Sequence, residues 1–453
     1  MHAMGAVYSG GSTVGRRLGP VCCAALMLAG TLSAQPPAAA QDVIRIAEHR
    51  SVRLDALRTL LPAIERELGI DVRVVEYPSP ALDYFTKLVT ELRSGNAPDV
   101  FTVPRDQQID DLAAAGYLAD LSRALETWDG YGHLVPLAKK LAQATFDRRS
   151  YVVPSILAVE RLYYRKDILE ARGISTAQPA DWQELLERGR AIRERTGQFA
   201  LLFPAGLTWG TGAYTEGFRH LLAGSSDPRL LTDDGRYRLN SAGVRAALEF
   251  YQTLIEEELT PIRPLLNPEP WIIPKYEMFP AGELLVTTCG TWCMIFDWGP
   301  NSRNPIPDLE QRVAAWDVPG KHGGRHVMAA LVYGWAVNQK SRRRELAKRV
   351  ALALGSVDAA IVYAQGLGNV PARLDAAQHE GFAALTHIHD AHAQLLRATA
   401  VQTTVGSSTL MAGVARATES LLTGREDAEG AQRLLLEYVR NILGDEAVAG
   451  PHE

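Results

Sequence analysis

The sequence predicts an α/β protein with two lobes joined by a hinge, and two observations support this. The chain from residue 42 opens with a strand, a helix and a strand: residues 42–47 and 71–77 alternate apolar and polar side chains, and 54–68 carries leucines at helical spacing before Gly69. A β-α-β opening favours a mostly parallel sheet. In addition, residues 151–167 hold two β-rich stretches between two segments that each have an α/β pattern. A strand pair in that position suits a hinge between lobes.

Later elements continue this pattern. A helix over 82–92, a strand over 98–103 and a helix over 107–115 complete the first segment. In the second segment, Asp181 and Glu184 have the spacing of a capping box at the start of an amphipathic helix. Trp182 falls on the apolar face of that helix, so we expect it in the core.

Composition excludes several classes of partner. The chain has 453 residues, of which 47% are hydrophobic, so it can bury a sizeable core. Its 47 basic and 52 acidic residues give a formal net charge of −5. This balance offers no electrostatic footprint for nucleic acid and no polybasic membrane patch. Residues 366–372 lack the third glycine of a dinucleotide fingerprint, and we expect no cofactor.

The N-terminus has the pattern of a signal peptide over residues 1–40. An arginine pair at 16–17 precedes the short apolar run 21–32, and small residues at 38–40 favour cleavage before Gln41. The apolar run is too short for a stable membrane anchor. A twin-arginine signal is the alternative interpretation of the arginine pair. We expect a soluble, exported protein in the periplasm.

A glycine-rich aromatic loop at 208–214 follows a predicted strand at 199–203. It lacks the Gly-Lys-Ser/Thr of a phosphate-binding loop. Trp209 and Tyr214 suit a sugar better, because the apolar C–H faces of a pyranose pack on aromatic rings. The alternative is that Trp209 is an ordinary core residue.

Several motifs resemble those of the extracellular solute-binding proteins of ABC importers, in the sugar-binding, maltose-binding-protein-like branch. They occur in the family's order over about residues 42–443: Gly95–Val100 (GNAPDV), Ala114–Leu121 (AAGYLADL), Tyr163–Asp167 (YYRKD), Pro179–Glu184 (PADWQE), Met278–Trp292 (MFPAGELLVTTCGTW), Val313–Gly320 (VAAWDVPG), Met328–Val337 (MAALVYGWAV) and Gly366–Ala372 (GLGNVPA). The chain departs from the family at Arg165, where relatives carry Asn.

The resemblance implies the two-lobed fold of periplasmic binding proteins, with the ligand cleft between the lobes. The lobes would be connected by three crossings, near 152–157, 286–290 and 337–341. The implied division of the chain is an N-terminal lobe of residues 42–153 and 289–337, a C-terminal lobe of 157–286 and 341–443, and a tail of 444–453.

The resemblance also implies a set of ligand-binding residues. By position in the family these are Arg105, Asp106 and Trp292 from one lobe, Glu160, Trp209 and Tyr214 from the other, and Tyr333 before the third crossing. Trp292 falls where relatives stack a Trp on the ligand. Two alternatives stay open: Asp106 is also placed to cap a helix, and Glu160 could be a strand-edge carboxylate paired with Arg161.

Residues 41–453 contain two cysteines, Cys289 and Cys293. An exported compartment permits a disulfide, and a bridge across a loop-to-helix junction would satisfy its geometry. The alternative is two small buried apolar side chains. Two cysteines do not make a metal site. The histidines of residues 387–392 have the wrong order and do not share one helix face, so we expect no metal.

Together these observations predict a protein that binds a mono- or oligosaccharide and delivers it to the permease of an ABC importer. We expect a monomer without enzymatic activity. The alternatives are a binding protein for a polyamine or a glycerophosphodiester, a sensor that presents its ligand to a receptor, and a secreted glycosidase.

Overall fold

The computed structural model describes residues 42–78, 81–103, 108–331, 333–401 and 403–450. The signal peptide predicted for residues 1–40 lies outside these ranges. The strands are β1 (Val43–His49), β2 (Asp71–Tyr77), β3 (Val100–Val103), β4 (Val152–Pro154), β5 (Ile156–Arg165), β6 (Phe199–Leu202), β7 (Leu284–Gly290), β8 (Val313–Trp316), β9 (Val318–Pro319), β10 (Arg325–His326), β11 (Met328–Leu331), β12 (Gly334–Val337) and β13 (Val370–Pro371).

The α-helices alternate with these strands, which confirms the predicted α/β class. They are α1 (Val52–Leu68), α2 (Ala81–Ser94), α3 (Ile109–Ala114), α4 (Ser122–Glu126), α5 (Pro136–Leu141), α6 (Lys166–Ala171), α7 (Trp182–Thr196), α8 (Arg219–Gly224), α9 (Ala242–Glu256), α10 (Ile262–Leu265), α11 (Phe279–Ala281), α12 (Cys293–Phe296), α13 (Leu309–Arg312), α14 (Arg344–Ala353), α15 (Val357–Leu367), α16 (Thr386–Ala393), α17 (Ser407–Leu422) and α18 (Ala428–Leu443).

Local sequence signals set several of these bounds. The side chain of Ser51 caps α1 by accepting from the amide of Arg53, and Gly69 ends the helix in the left-handed region at φ 66°. Asp181 accepts from the amide of Glu184 at 2.8 Å, while the Glu184 carboxylate accepts from the amide of Ala180 at 2.7 Å. The predicted cap of α7 is thus confirmed.

The strands form two main sheets. The first has the order β2-β1-β3-β12-β4, in which β1 is parallel to β2 and β3, and β12 is antiparallel to β3 and β4. The second has the order β11-β5-β7-β6, with β8 and β13 also paired to β5. Strands β9 and β10 pair separately.

Apolar packing covers both sheets. The first core consists of two clusters around the first sheet, which take in α1, α2, α3, α14 and α15 and also Leu157 and Val159 of β5; its buried residues include Ile44, Leu57, Phe101, Ile109, Leu112 and Trp335. The second core surrounds the second sheet and takes in α7, α9, α17 and α18; its buried residues include Trp182, Leu202, Leu248, Val286, Leu410 and Val414. Burial of Trp182 confirms its predicted core position.

The connections between the sheets bear on the predicted division of the chain, which stays a prediction. The first connection, from β4 to β5, lies within the predicted 152–157. Strands β7, β8 and β11 all pair with β5, so the chain returns to the first sheet between β11 and β12. We therefore propose that the second connection lies at 331–334 rather than 286–290. Because α16 packs in the first core and α17 in the second, we propose a third connection between 393 and 407 rather than at 337–341.

No single helix among the described residues is long and apolar enough to cross a membrane. Helices α14 and α15, which meet at an angle of 64°, are together long and apolar enough to cross a membrane by length and composition alone. Both helices contribute buried residues to the first core, including Val350, Ala351 and Tyr363.

Candidate functional site

Two predicted ligand residues, Trp292 and Tyr333, meet where the second sheet connects to the first. Both half-buried rings pack against Ala158 of β5 and Ala330 of β11. Gly290 is needed for this placement, because a Cβ atom there would lie 1.8 Å from the Trp292 ring. Two small alanines and a glycine thus leave two aromatic rings partly accessible at the hinge.

Tyr333 is held in an unusual backbone conformation. Its φ of 130° lies in the region that favours glycine, and such strain concentrates at functional sites. The Arg53 guanidinium lies 3.4 Å from the centre of the Tyr333 ring, and the ring of His49 approaches it edge-on at 5.7 Å. Tyr333 therefore bridges the hinge and the carboxyl end of β1.

The carboxyl end of β1 carries a buried polar cluster. Arg53 donates to Glu48 from Nε at 2.8 Å and from Nη2 at 3.0 Å, and Tyr363 donates to Glu48 at 3.2 Å. His49 stacks on Tyr84 at 4.0 Å, and burial, followed by the nearby Arg53, lowers its pKa to about 3. Within the described part of the chain, Arg53 Nη1 and His49 Nε2 have no hydrogen-bond partner. These groups can contact a ligand.

Part of this cluster could be predicted from the sequence. Ligands bind at the carboxyl ends of strands in open parallel sheets, and that rule indicates residues 49–51. The ion pair between Glu48 and Arg53 joins the end of β1 to the first turn of α1. Its third partner, Tyr363, is 315 residues away in sequence, which no local pattern encodes.

Glu160 lies in the middle of β5 and is fully buried. Its Oε2 accepts from Arg219 and lies 3.0 Å from His220 Nε2. Burial alone would raise the pKa of Glu160, but the Arg219 guanidinium and the contact with His220 together outweigh burial and lower the pKa to about 2. In the described structure Oε1 has no hydrogen-bond partner, so one carboxylate oxygen remains able to accept from a ligand hydroxyl.

The alternative pairing of Glu160 with Arg161 does not occur. Arg161 Nη2 lies 3.3 Å from Asp317, and Nη1 donates to Asp390. Adjacent residues of a strand point to opposite faces of the sheet, so Glu160 and Arg161 face different neighbours.

Trp209 and Tyr214 are both buried in the second core. Lys275 Nζ lies 5.5 Å from the centre of the Trp209 ring and 2.6 Å from Glu216 Oε2. Tyr214 belongs to a π-helical turn, Ala213–Phe218, a type of distortion that is frequent at functional sites. The burial of Trp209 favours its alternative core role, and a ligand contact by either ring stays a prediction.

Arg105 and Asp106 lie outside the described residues.

Two histidines of α16 each contact a backbone carbonyl oxygen. His389 Nε2 lies 2.9 Å from Phe382 O, and His392 Nε2 lies 3.0 Å from Arg373 O. These contacts give both side chains a structural role.

Cys289 and Cys293 are placed together as a disulfide at the junction of β7 and α12, with Cα atoms 6.3 Å apart. Asp297 Oδ2 lies 2.8 Å from Cys293 Sγ, and Lys275 Nζ lies 3.5 Å from Cys289 Sγ. The two sulfurs and the carboxylate are close enough to hold a metal ion, but metal binding requires thiolates. We propose that the bond is formed, which leaves no metal site in this set.

Burial raises the pKa of Asp297 from 3.8 to about 7. Between these pH values the folded chain holds a proton that the unfolded chain has lost, so this group makes folding less favourable as pH rises towards 7. We expect Asp297→Asn to flatten the fall in unfolding free energy between pH 4 and 7. Urea unfolding at several pH values checks this, with the exposed Asp129→Asn as control; parallel curves for wild type and Asp297→Asn would contradict it.

Comparison with known proteins decides the family. Residues 60–390 match the family model described as bacterial extracellular solute-binding protein. The chain belongs to this family. Membership implies an exported protein, and it places the chain among solute-binding proteins rather than enzymes, as predicted.

Individual relatives of this solute-binding protein are distant. The arabinooligosaccharide-binding protein of Halalkalibacterium halodurans is 22% identical over 285 residues, which are 61% of this chain and 59% of the relative. The periplasmic-binding protein YcjN of Escherichia coli, an ABC transporter protein described as putative, is 26% identical over 220 residues, 46% of this chain and 47% of the relative. The chain thus matches about three fifths or less of the length of these curated relatives.

Solved structures establish the fold of this solute-binding protein. Maltose-bound MalE3 of T. maritima superposes with a TM-score of 0.72 at 19% identity, covering 88% of this chain and 99% of that one. The sugar-binding protein MalE of Xanthomonas citri gives a TM-score of 0.73 at 19% identity, with coverage of 89% and 98%. The predicted two-lobed fold is confirmed.

Proposed function

We propose that this solute-binding protein takes an uncharged mono- or oligosaccharide into the cleft between its lobes and delivers it to the permease of an ABC importer. The observation that carries the proposal is the placement of Trp292 and Tyr333, two half-buried rings at the hinge beside buried hydrogen-bonding groups. A sugar offers apolar faces to rings and hydroxyls to polar atoms.

The buried charges around this region favour a neutral ligand. Glu48 contacts Arg53, Glu160 contacts Arg219, and Glu216 contacts Lys275, and every one of these side chains is at most 13% exposed. Each charge therefore has an opposite charge within the protein, and none of these pairs leaves an excess to neutralise a ligand. A polyamine or a phosphodiester would need such an excess, because an unmatched buried charge is costly.

The relatives support the same ligand class. One curated relative is described as binding arabinooligosaccharides, and structural neighbours include maltose-bound MalE3 and a MalE of Bdellovibrio bacteriovorus bound to maltotriose. An oligosaccharide is accordingly the first ligand to test.

Delivery depends on closure of the lobes around the sugar. A ligand favours the closed arrangement only through contacts that it makes there and not in the open one. We assign such contacts to Arg53, His49 and Tyr333 on one side, and to Trp292 and Glu160 on the other. In this proposal the protein is a periplasmic monomer that is exported by its signal peptide.

Thermal unfolding against a panel of mono- and oligosaccharides tests the proposal, with spermidine and glycerophosphodiesters as controls. A ligand at a hundredfold its dissociation constant stabilises the folded state by about 2.7 kcal/mol, which gives a readily measured shift. We expect a shift with a sugar that is recovered intact. A shift with only spermidine or only a glycerophosphodiester would show that the ligand is a polyamine or a phosphodiester and not a sugar. Release of shorter sugars would indicate a glycosidase.

A further inference from the structure

The longest helices of the second core include α17, whose N-terminus receives its cap from a distant segment. The residue before α17 is Gly406, which has no side chain to act as a cap. Asp111 of α3 supplies the missing acceptor: its carboxylate accepts from Gly406 N at 2.7 Å, from Ser408 N at 3.4 Å, and from the hydroxyls of Ser407 and Ser408 at 3.2 and 3.1 Å. Helix N-caps normally come from the residue directly preceding the helix.

The two partners belong to different cores. Ile109 and Leu112 anchor α3 in the first core, whereas Leu410 and Val414 anchor α17 in the second. The cap therefore spans the two lobes, with the acceptor on one and the helix N-terminus on the other. The partial positive charge of that N-terminus favours a carboxylate in this position.

A second polar contact runs beside the cap. Asp110 accepts from the amide and hydroxyl of Thr145 at 2.6 and 2.9 Å, and the Thr145 hydroxyl lies 3.1 Å from that of Thr404. Tyr237, buried in the second core, donates to Thr404 O at 2.9 Å. Thr404 is thus held to the second core while it contacts Thr145, which is held by α3.

We propose that Asp111 is a positioning residue for ligand binding, because its cap on α17 forms only when the lobes lie as they do here. This inference rests on the proposed function. Helix α3 belongs to one lobe and α17 to the other, so the cap joins the two lobes. Separation of the lobes would take the Asp111 acceptor away from the amides of Gly406 and Ser408, and the cap accordingly favours the closed arrangement.

A matched pair of variants tests this. Asp427 caps α18 by accepting from Gly430 N at 2.8 Å, and α18 has 16 residues, as α17 has. Asp111→Ala and Asp427→Ala each remove an aspartate cap, but only the first cap spans the lobes. We expect Asp111→Ala to weaken sugar affinity about fivefold, mainly through faster dissociation, and Asp427→Ala to leave affinity unchanged while lowering the melting temperature.

Solution scattering without sugar separates this inference from the proposed function. We expect a larger radius of gyration for Asp111→Ala than for wild type or Asp427→Ala, whether or not a sugar ligand has been found. Asp111→Asn, which keeps a good capping acceptor, should restore both compactness and affinity. Equal affinities and equal radii for Asp111→Ala and Asp427→Ala, or tighter binding by Asp111→Ala, would overturn the inference.

Discussion

Replacing Trp292 with alanine is expected to weaken sugar binding by about thirtyfold or more while the fold persists. The ring is half-buried at the hinge, where it packs on Ala158 and Ala330 beside Tyr333, and an aromatic anchor in such a position typically contributes about 2 kcal/mol or more to binding. Removing the ring takes away the apolar surface on which a pyranose would stack. Calorimetric titration with the sugar found by thermal unfolding measures the loss.

The control for this prediction is Trp128→Ala. Trp128 is also half-buried, but it packs in the first core, where the Arg373 guanidinium lies 5.4 Å from the centre of its ring. Trp128→Ala should lower the free energy of unfolding and leave sugar affinity within about twofold of wild type. Equal affinities for wild type and Trp292→Ala would remove Trp292 from the binding site.

Replacing Glu160 with alanine is expected to lower the free energy of unfolding by about 3–5 kcal/mol. Glu160 and Arg219 are both essentially inaccessible to solvent, and removal of the carboxylate takes an ion-pair partner away from a buried guanidinium. The loss of the contact with His220 adds to the effect. Urea unfolding of the ligand-free protein measures the change.

A surface pair provides the comparison for Glu160. Glu76 lies 2.7 Å from Arg58, with both side chains exposed, and such pairs contribute at most about 1 kcal/mol. Glu76→Ala should therefore change the unfolding free energy much less than Glu160→Ala. If Glu160→Ala lost sugar affinity with no loss of stability, its role would be that of a ligand contact alone.

The fold class was accessible from the sequence because its signals are local. Alternation in β1 and β2, the Asp181 cap, and the glycine after α1 each act within a few residues. The pairing of β8 and β11 with β5 was not accessible, because β8 and β11 are only 4 residues each and β5 is distant in sequence. Strand pairing at that separation has no local signature.

The candidate site likewise combines residues that local motifs indicate with residues that only tertiary packing brings together. Motif position indicated Trp292 and Tyr333, and the structure brings these two rings together at the hinge. The partners of the polar groups around these rings were missed because they are remote in sequence: Glu160 contacts Arg219 and His220 rather than its neighbour Arg161. Side-chain networks of this kind arise from tertiary packing, in which residues far apart in sequence satisfy one another's charges.

The most direct test of sugar binding is titration calorimetry of residues 41–453 with neutral oligosaccharides. The sugar is then recovered from the sample cell of the calorimeter and analysed. We expect one binding site for a neutral sugar that is recovered unchanged. Absence of binding to every neutral sugar, together with saturable binding of spermidine or a glycerophosphodiester, would contradict it.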